Sequence, residues 1–225
     1  MTLSVIVPTL NEERGIAATL RRVRVAGVRE IIVVDGGSVD RTRAVAHELA
    51  DLVLSAPRGR AAQMNAGATH ASGDILLFLH ADTLVPDGFA QAIAAACREP
   101  GVIGGRFDVT LTPSSPLLRL TGELVNWRSR LSRIATGDQG IFIRRDVFTR
   151  LGGYANIALM EDIDLSRRMK RAGRIACLHQ RVTASARRWQ THGVLRTILL
   201  MWSLRTLYFF GVSPSRLQRL YDDAR

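Results

Sequence analysis

Cysteine, lysine and long apolar runs are all scarce in this sequence of 225 residues. The two cysteines, Cys97 and Cys177, stand in separate apolar contexts and no C-x-x-C pair occurs, which excludes a disulfide framework. We therefore expect a reducing, cytoplasmic compartment. A predicted strand begins at Leu3, so we also expect no signal peptide in front of the fold.

Lysine occurs once, at Lys170, so arginine carries the positive charge. The 31 Lys+Arg against 20 Asp+Glu give a net charge of +11 at pH 7. This balance suits nucleic acid, anionic lipid or phosphorylated small molecules, and arginine binds phosphate through paired N–H groups. The arginines are scattered without aromatic stacking motifs, which argues against nucleic acid. A genomic base composition that replaces lysine by arginine explains the same charge without any function.

The most apolar segment near the C-terminus, residues 197–212, contains Arg205 and follows Arg196. Its uninterrupted parts are too short to span a bilayer. Two interpretations stand: an amphipathic helix at a membrane surface, on the inner membrane face, or a helix packed on the domain or in a homodimer contact.

The first hundred residues alternate between apolar, β-branched runs and helical periodicity, with short connections. This alternation predicts an α/β fold whose mainly parallel sheet is flanked by helices on both faces. Asn11 is a candidate N-cap for the first helix, and Ser38 or Asp40 for the second. The predicted strands are residues 3–10, 30–35, 51–56 and 73–82, and the predicted helices are residues 11–23, 36–50, 58–71 and 86–99.

The second half has a mixed pattern without a linker or repeat. A strand, a helix, a strand with a short helix, a further helix and two short strands are predicted at residues 102–109, 113–132, 137–148, 161–173, 174–178 and 181–185. We predict one domain at residues 1–190, with halves at 1–100 and 101–190. Residues 191–225 form a predicted C-terminal helical appendage.

Polar residues end the four predicted parallel strands, and the carboxyl ends of such strands share one edge of the sheet, where ligands bind. These residues are Thr9 and Asn11, Asp35, Arg58 and Arg60, and His80 and Asp82. We therefore expect them to surround one cleft.

Each group also has an ordinary structural explanation. Asp82, helped by His80, would bind a hard divalent cation, or it would cap the next helix. Asp35 would accept from a base or ribose, or it would be satisfied inside a tight glycine turn; the pattern is not G-x-G-x-x-G. Arg58 and Arg60 would bind an anion at a helix N-terminus, or they would be solvated.

Glu161 and Asp162 open a predicted helix. Acidic residues there are commonly just favoured by the helix dipole. A carboxylate that faces a cleft would instead serve as a general base, which typically contributes roughly 10²–10⁴-fold in rate.

Taken in order, these motifs resemble the family 2 glycosyltransferases of the GT-A fold over about residues 3 to 190. The resemblance implies a Rossmann-like, mixed sheet with C-terminal amphipathic helices. It also implies that residues 1–100 form a nucleotide-binding half and residues 101–190 an acceptor half. The tail, residues 183–214, is similar to that of a small bacterial subgroup associated with radical-SAM and selenium- or arsenic-related gene clusters. The matching motifs are VIVPTLNE (5–12), VVDGGSVDRT (33–42), RGRAAQMNAG (58–67), LHADT (79–83), GDQGIFIRR (137–145) and MEDIDLSRRMKRAG (160–173).

The resemblance implies roles for single residues. Asp162 would be the base that deprotonates an acceptor hydroxyl, supported by Glu161, in an inverting single displacement. Mn²⁺ or Mg²⁺ would bind Asp82, with His80 as a second ligand. The implied nucleotide-sugar site comprises Pro8, Thr9, Asn11, Glu12, Asp35, Gly36, Gly37, Arg58, Arg60, Asn65, His80, Ala81, Asp82, Arg188 and Trp189.

Three departures from the family pattern matter. Gly36 replaces an aspartate that often reads uracil, which weakens the expectation of a UDP-sugar as the donor. His80 and Ala81 replace the first two residues of the D-x-D metal motif, so metal binding would either be weaker or use the histidine. The processive enzymes' Q-x-x-R-W appears only as residues 185–189, which argues against a polymer-extruding synthase.

The sequence therefore predicts a metal-dependent transferase that moves sugar from a nucleotide-diphosphate sugar to an acceptor that no motif identifies. A nucleotidyltransferase with a similar core and metal is one alternative. A non-catalytic basic module on a membrane surface is the other.

Overall fold

The computed structural model describes residues 1–187, 191 and 193–223. Within them, eight strands form one sheet in the order β3-β2-β1-β4-β7-β6-β8-β5. The strands are β1 Leu3–Thr9, β2 Val28–Asp35, β3 Leu52–Ser55, β4 Ile75–Phe78, β5 Thr83–Leu84, β6 Val102–Thr112, β7 Ile141–Arg144 and β8 Arg174–Ser185. The helices are α1 Ile16–Val23, α2 Thr42–Leu49, α3 Arg60–His70, α4 Phe89–Arg98, α5 Pro116–Ser132, α6 Arg145–Arg150, α7 Glu161–Ala172, α8 Val194–Phe209 and α9 Pro214–Asp223, with a 3₁₀ turn η1 at Gly137–Gln139.

The first four strands are parallel and in close register. Thr9 of β1 pairs with Asp35 of β2, and Asp35 pairs with Ser55 of β3. β1 also pairs with β4, where Ile6 lies opposite Phe78. The chain therefore leaves these strands at one common edge, as the alternating pattern predicts.

The second half adds strands in both directions. β7 runs antiparallel to both β4 and β6, and β8 runs parallel to β6. The two-residue strand β5 pairs antiparallel with β8 through Thr83 and Ala184. Because β5 follows His80–Asp82 directly, this pairing fixes the segment that carries the candidate metal ligand.

Two hydrophobic layers cover the sheet, one on each face. Successive residues of β1 alternate between them: Val5 and Val7 pack with α1, α4 and α5, whereas Ile6 packs with α3, α6 and α7. Burying a side chain of this size contributes about 1.5–3 kcal/mol. The three layers hold the strand ends rigidly enough to position a site.

The C-terminal helices pack on the domain. Leu204 of α8 and Leu217 and Tyr221 of α9 form a buried cluster with Met160 and Ile163 at the start of α7. Between residues 1 and 223, as far as the structure describes them, no helix has the length and apolarity that crossing a bilayer requires. The tail therefore packs on the domain, as one of the two interpretations predicts. Many apolar side chains of the tail nevertheless stay exposed.

Several predicted boundaries were wrong. The first helix begins at Ile16 with Gly15 as its N-cap, so Asn11 caps nothing; it has a left-handed backbone with φ of 55°. The helix after Asp82 begins at Phe89 and its N-cap is Gly88, which removes the capping explanation for Asp82. The two short strands predicted after α7 are one strand, β8, with an irregularity in its pairing to β6.

Candidate active site

The loops that follow β1 and β2 bind each other. The Asn11 side-chain oxygen accepts from the Val39 N–H at 2.9 Å, and the Asn11 N–H donates to Ser38 Oγ at 2.9 Å. The Asp35 carboxylate accepts from the Gly37 and Ser38 N–H groups at 3.0 and 2.9 Å. Asp35 is therefore satisfied within its own turn, as the structural explanation predicts, and it shapes the loop around Asn11.

Gln63, which the motifs did not single out, occupies the space beneath Gly36. Its amide donates to the carbonyl oxygens of Thr9 and Val34, both at 2.8 Å. A Cβ atom at Gly36 would lie 3.1 Å from the Gln63 amide atoms. The family's usual aspartate would crowd this glutamine, so the departure at position 36 has a packing reason.

The His80–Asp82 segment is held from below. The Ala81 carbonyl accepts from Thr19 Oγ1 of α1 at 2.7 Å, and the Ala81 side chain is buried in the core. Asp82 is half-buried. Burial, and next the charge of Asp82, raise the pKa of Glu12. Arg187 bonds the Glu12 carboxylate at 2.9 Å and opposes that rise.

This arrangement fits a hard divalent cation. Among the described residues, no three His, Cys, Asp or Glu side chains converge as a complete metal site. Mg²⁺ and Mn²⁺ often use only one or two protein carboxylates, with phosphate and water as the remaining ligands. Asp82, beside the Glu12 carboxylate, offers such an incomplete set of oxygen ligands.

His80 connects the segment of the candidate metal ligand Asp82 to the predicted base, Asp162. Its ring packs on Gly137 of η1 so closely that a Cβ atom there would lie 2.5 Å from the imidazole Nε2. The Gly137 N–H in turn donates to Asp162 Oδ2 at 2.9 Å. Gly137 therefore forms the short link between His80 and Asp162.

The two acidic residues at the start of α7 have different environments. Glu161 is 4% exposed and lies 3.8 Å from Arg60 Nη1. Burial, and secondarily the Asp162 charge, raise the pKa of Glu161 to about 7 against the opposing effect of Arg60. Asp162 is half-buried, and its Oδ1 accepts from the Ile163 N–H at 2.7 Å. Met160, just before the pair, has a φ of 72°, and such strain in a non-glycine residue is typical of functional sites.

Further side chains enclose this pair. Tyr154 is buried, and burial together with the charges of Asp162 and Glu161 raises the pKa of its hydroxyl well above its usual value, so Tyr154 stays neutral. Asp138 of η1 and Arg128 of α5 are further charged neighbours, which the sequence analysis did not name. The only sequence signal for Asp138 was the GDQG motif.

The remaining predicted site residues have varied positions. Both polar atoms of the Asn65 amide bond the Tyr154 backbone at 2.8 and 2.9 Å, so Asn65 ties α3 to the loop before α7. Arg58 is exposed before α3, and Pro8 and Gly37 lie at the ends of β1 and β2. Arg188 and Trp189 lie outside the described residues.

A sequence profile described as glycosyl transferase family 2 matches residues 4–151. The chain belongs to this family. It is 28% identical over 236 aligned positions to the probable glycosyltransferase YdaM of Bacillus subtilis, covering 93% of this chain and 54% of that protein. The chain spans about half the length of the curated relatives it matches.

Solved structures confirm the predicted fold class. The mannosyltransferase PcManGT from Pyrobaculum calidifontis, in complex with GDP-Man and Mn²⁺, superposes with a TM-score of 0.70 at 22% identity, over 99% of this chain and 68% of that one. Glucosyl-3-phosphoglycerate synthase from Mycobacterium tuberculosis, with Mn²⁺ and UDP, gives a TM-score of 0.60 at 22% identity, over 80% of this chain and 70% of that one. The family 2 chain thus has the mixed, mainly parallel α/β sheet of the GT-A fold.

Proposed function

We propose that this chain transfers a sugar from a nucleotide-diphosphate sugar to an acceptor hydroxyl, with inversion at the sugar carbon. The observation that carries the proposal is the link from His80, two residues before Asp82, through Gly137 to Asp162. A donor-binding group and a base must be this close for one displacement to join their substrates.

On the donor side, the nucleotide would lie over the loops that end β1 and β2, with Asn11 and Glu12 at its edge. Asp82 and His80 would hold Mn²⁺ or Mg²⁺, and the ion would neutralise charge on the departing diphosphate. Two structural neighbours carry Mn²⁺ with GDP-Man or UDP, which supports this donor class. A UDP-sugar is the first donor to test, although the space at Gly36 is filled by Gln63.

On the acceptor side, Asp162 would take the proton of the attacking hydroxyl. Its carboxylate is half-buried and held by two backbone N–H groups, which leaves lone pairs for the acceptor. Glu161, which is buried and lies 3.8 Å from the partly exposed Arg60, would position it from beneath. Attack on the face opposite the leaving diphosphate inverts the sugar carbon.

We also propose a peripheral position on the inner face of a membrane. α5 and α8 expose apolar side chains beside arginines, which suits an anionic lipid surface. A homodimer is the competing explanation for these surfaces. Membership of the radical-SAM-associated subgroup is likewise a proposal, supported by the similarity of the tail.

The test measures nucleotide binding through its effect on thermal unfolding, with and without UDP or GDP and Mn²⁺. We expect about 2.7 kcal/mol of stabilisation at a hundredfold excess over Kd. Asp82→Asn should lose most of it, whereas Asp87→Asn should not, because Asp87 is 94% exposed and only pairs with Arg22 on the surface. Asp162→Asn should bind nucleotide normally but transfer sugar roughly 10²–10⁴-fold more slowly.

Several results would overturn the proposal. One is wild-type protein that no nucleoside diphosphate stabilises. Another is an Asp82→Asn variant that behaves as wild type. Release of pyrophosphate instead of nucleoside diphosphate would support a nucleotidyltransferase.

A further inference from the structure

Arg128 of α5 is a half-buried cation whose side edge lacks a partner among the described residues. Its Nε and Nη2 atoms are shielded from solvent and have no hydrogen-bond partner among the described residues. These two nitrogens form the side edge of the guanidinium, which donates two parallel N–H groups to an oxyanion. Leaving such charged donors unsatisfied is costly, so we expect a further group to bind this edge.

The surroundings of Arg128 indicate the charge of that group. Burial, and next the charge of Arg205 on α8, lower the pKa of Arg128 to about 10, while Asp138 and Asp162 act in the opposite direction. Two guanidinium groups from different helices are therefore held close together. An anion between them would relieve their repulsion.

The nearby carboxylates do not fill this role. Asp138 Oδ1 is itself buried without a hydrogen-bond partner in the described part of the chain, although Asp138 is a charged neighbour of Arg128. On the same helix, by contrast, Arg130 donates directly to Asp108, and Arg106 donates to the same carboxylate. Arg128 and Asp138 thus influence each other through charge without a direct bond, so Asp138 leaves the Arg128 edge open.

We propose that Arg128 and Arg205 bind a phosphomonoester on the acceptor, beside the Asp162 carboxylate that receives the proton of its hydroxyl. This deepens the proposed function and rests on it for the role of Asp162. Asp138 and Asp162 are the charged groups that raise the pKa of Arg128, so the unpaired edge lies on the side of the proposed base, where the acceptor would bind. A phosphate dianion matches two arginines in charge and offers enough oxygens for both.

The experiment measures phosphate binding to the full chain already saturated with UDP or GDP and Mg²⁺. Inorganic phosphate and glycerol 1-phosphate are the soluble probes, and glycerol is the uncharged control. Vesicles of phosphatidic acid in phosphatidylcholine form the lipid arm, with phosphatidylcholine alone as their control. We expect Arg128→Gln to weaken phosphate binding at least tenfold and to leave nucleotide binding unchanged.

Matched variants separate this role from a structural one. Arg119→Gln removes an exposed arginine of the same helix and should bind phosphate as wild type. Arg128→Lys should recover part of the affinity, because lysine restores the charge but not the paired edge. If Arg128→Gln does not fold, Arg205→Gln gives the same comparison.

The outcomes distinguish the two sources of phosphate. Arg128-dependent binding of the soluble probes supports a water-soluble phosphorylated acceptor. Arg128-dependent binding of phosphatidic acid vesicles alone supports a lipid phosphate. Equal phosphate binding by wild type and Arg128→Gln, or no phosphate effect in either arm, would overturn the inference even where nucleotide binding is intact.

Discussion

Among single residues, Glu161 has the environment that is most unusual for its type. It is a nearly fully buried carboxyl whose pKa is about 7, against a usual value of 4.5, chiefly because burial disfavours the charged form. Between these two pH values the unfolded chain has lost the proton that the folded chain keeps. The stability of the fold must therefore fall as the pH rises through this window.

Glu161→Gln should remove this dependence, since glutamine does not titrate. Between pH 5 and pH 7 the wild type should lose about 2 kcal/mol more of its free energy of unfolding than the variant. Urea unfolding at both pH values measures the difference. Glu123→Gln, which removes an exposed carboxylate, is the matched control. Parallel pH profiles for wild type and Glu161→Gln would contradict the buried, protonated carboxyl.

The sequence singled out candidate residues at strand ends and at a helix start, but not residues inside helices. Asp82 and the pair at Glu161 stand out because a carboxylate there interrupts an apolar or turn pattern. Gln63 and Arg128 lie within helices, where a polar residue is ordinary. Only the bond from Gln63 to Val34 and the effect of the Arg205 charge on Arg128 set them apart. Such contacts join residues far apart in sequence, so no local pattern announces them.

At the scale of elements, α3 lies very close to the sheet. A Cβ atom at Gly67 would be 2.5 Å from Ile6 Cγ2 and 3.0 Å from Val34 Cγ2, both inside the core. Gly67→Ala should therefore be destabilising: overpacking costs about 1–3 kcal/mol, which offsets a gain of about 1 kcal/mol in helix propensity. We expect thermal unfolding to show a Tm lower by several degrees.

Gly122→Ala provides the comparison within another helix. Its Cβ atom would lie 3.4 Å from the Val109 carbonyl oxygen, an ordinary contact. Its Tm should stay unchanged or rise, since only the propensity term applies. A Gly67→Ala protein as stable as Gly122→Ala would show that α3 can shift away from β1 and β2.

The order of elements was predictable, but their pairing was not. Apolar runs and helical periodicity revealed the strands and helices of the first half, and tertiary contacts then trimmed their ends by several residues. The antiparallel entry of β7 between β4 and β6, and the pairing of β5 with β8, depend on long-range packing. A two-residue strand such as Thr83–Leu84 has no period that a sequence could reveal.

For the whole molecule, the remaining question is what meets the apolar side chains that folding leaves exposed. Most of the large ones lie in two stripes, one on each of the two helices that carry Arg128 and Arg205. Exposed apolar surface beside arginines, in a chain of net charge +11, suits an anionic bilayer better than a neutral one. The stripes comprise Leu117, Leu120, Leu124, Trp127 and Leu131 on α5, and Leu195, Leu199, Trp202 and Phe209 with the adjacent Phe210 on α8.

We therefore expect the protein to sediment with vesicles that contain phosphatidylglycerol, less so with phosphatidylcholine alone, and less again at high salt. Replacing Leu199 and Trp202 together by serine should lower the partition coefficient at least tenfold, because each apolar side chain contributes about 1.5–3 kcal/mol when buried. Val25→Ser, which changes an exposed apolar residue after α1, should bind as wild type. A stable dimer in light scattering, without vesicle binding, would assign the stripes to a second copy of the chain and contradict the membrane assignment.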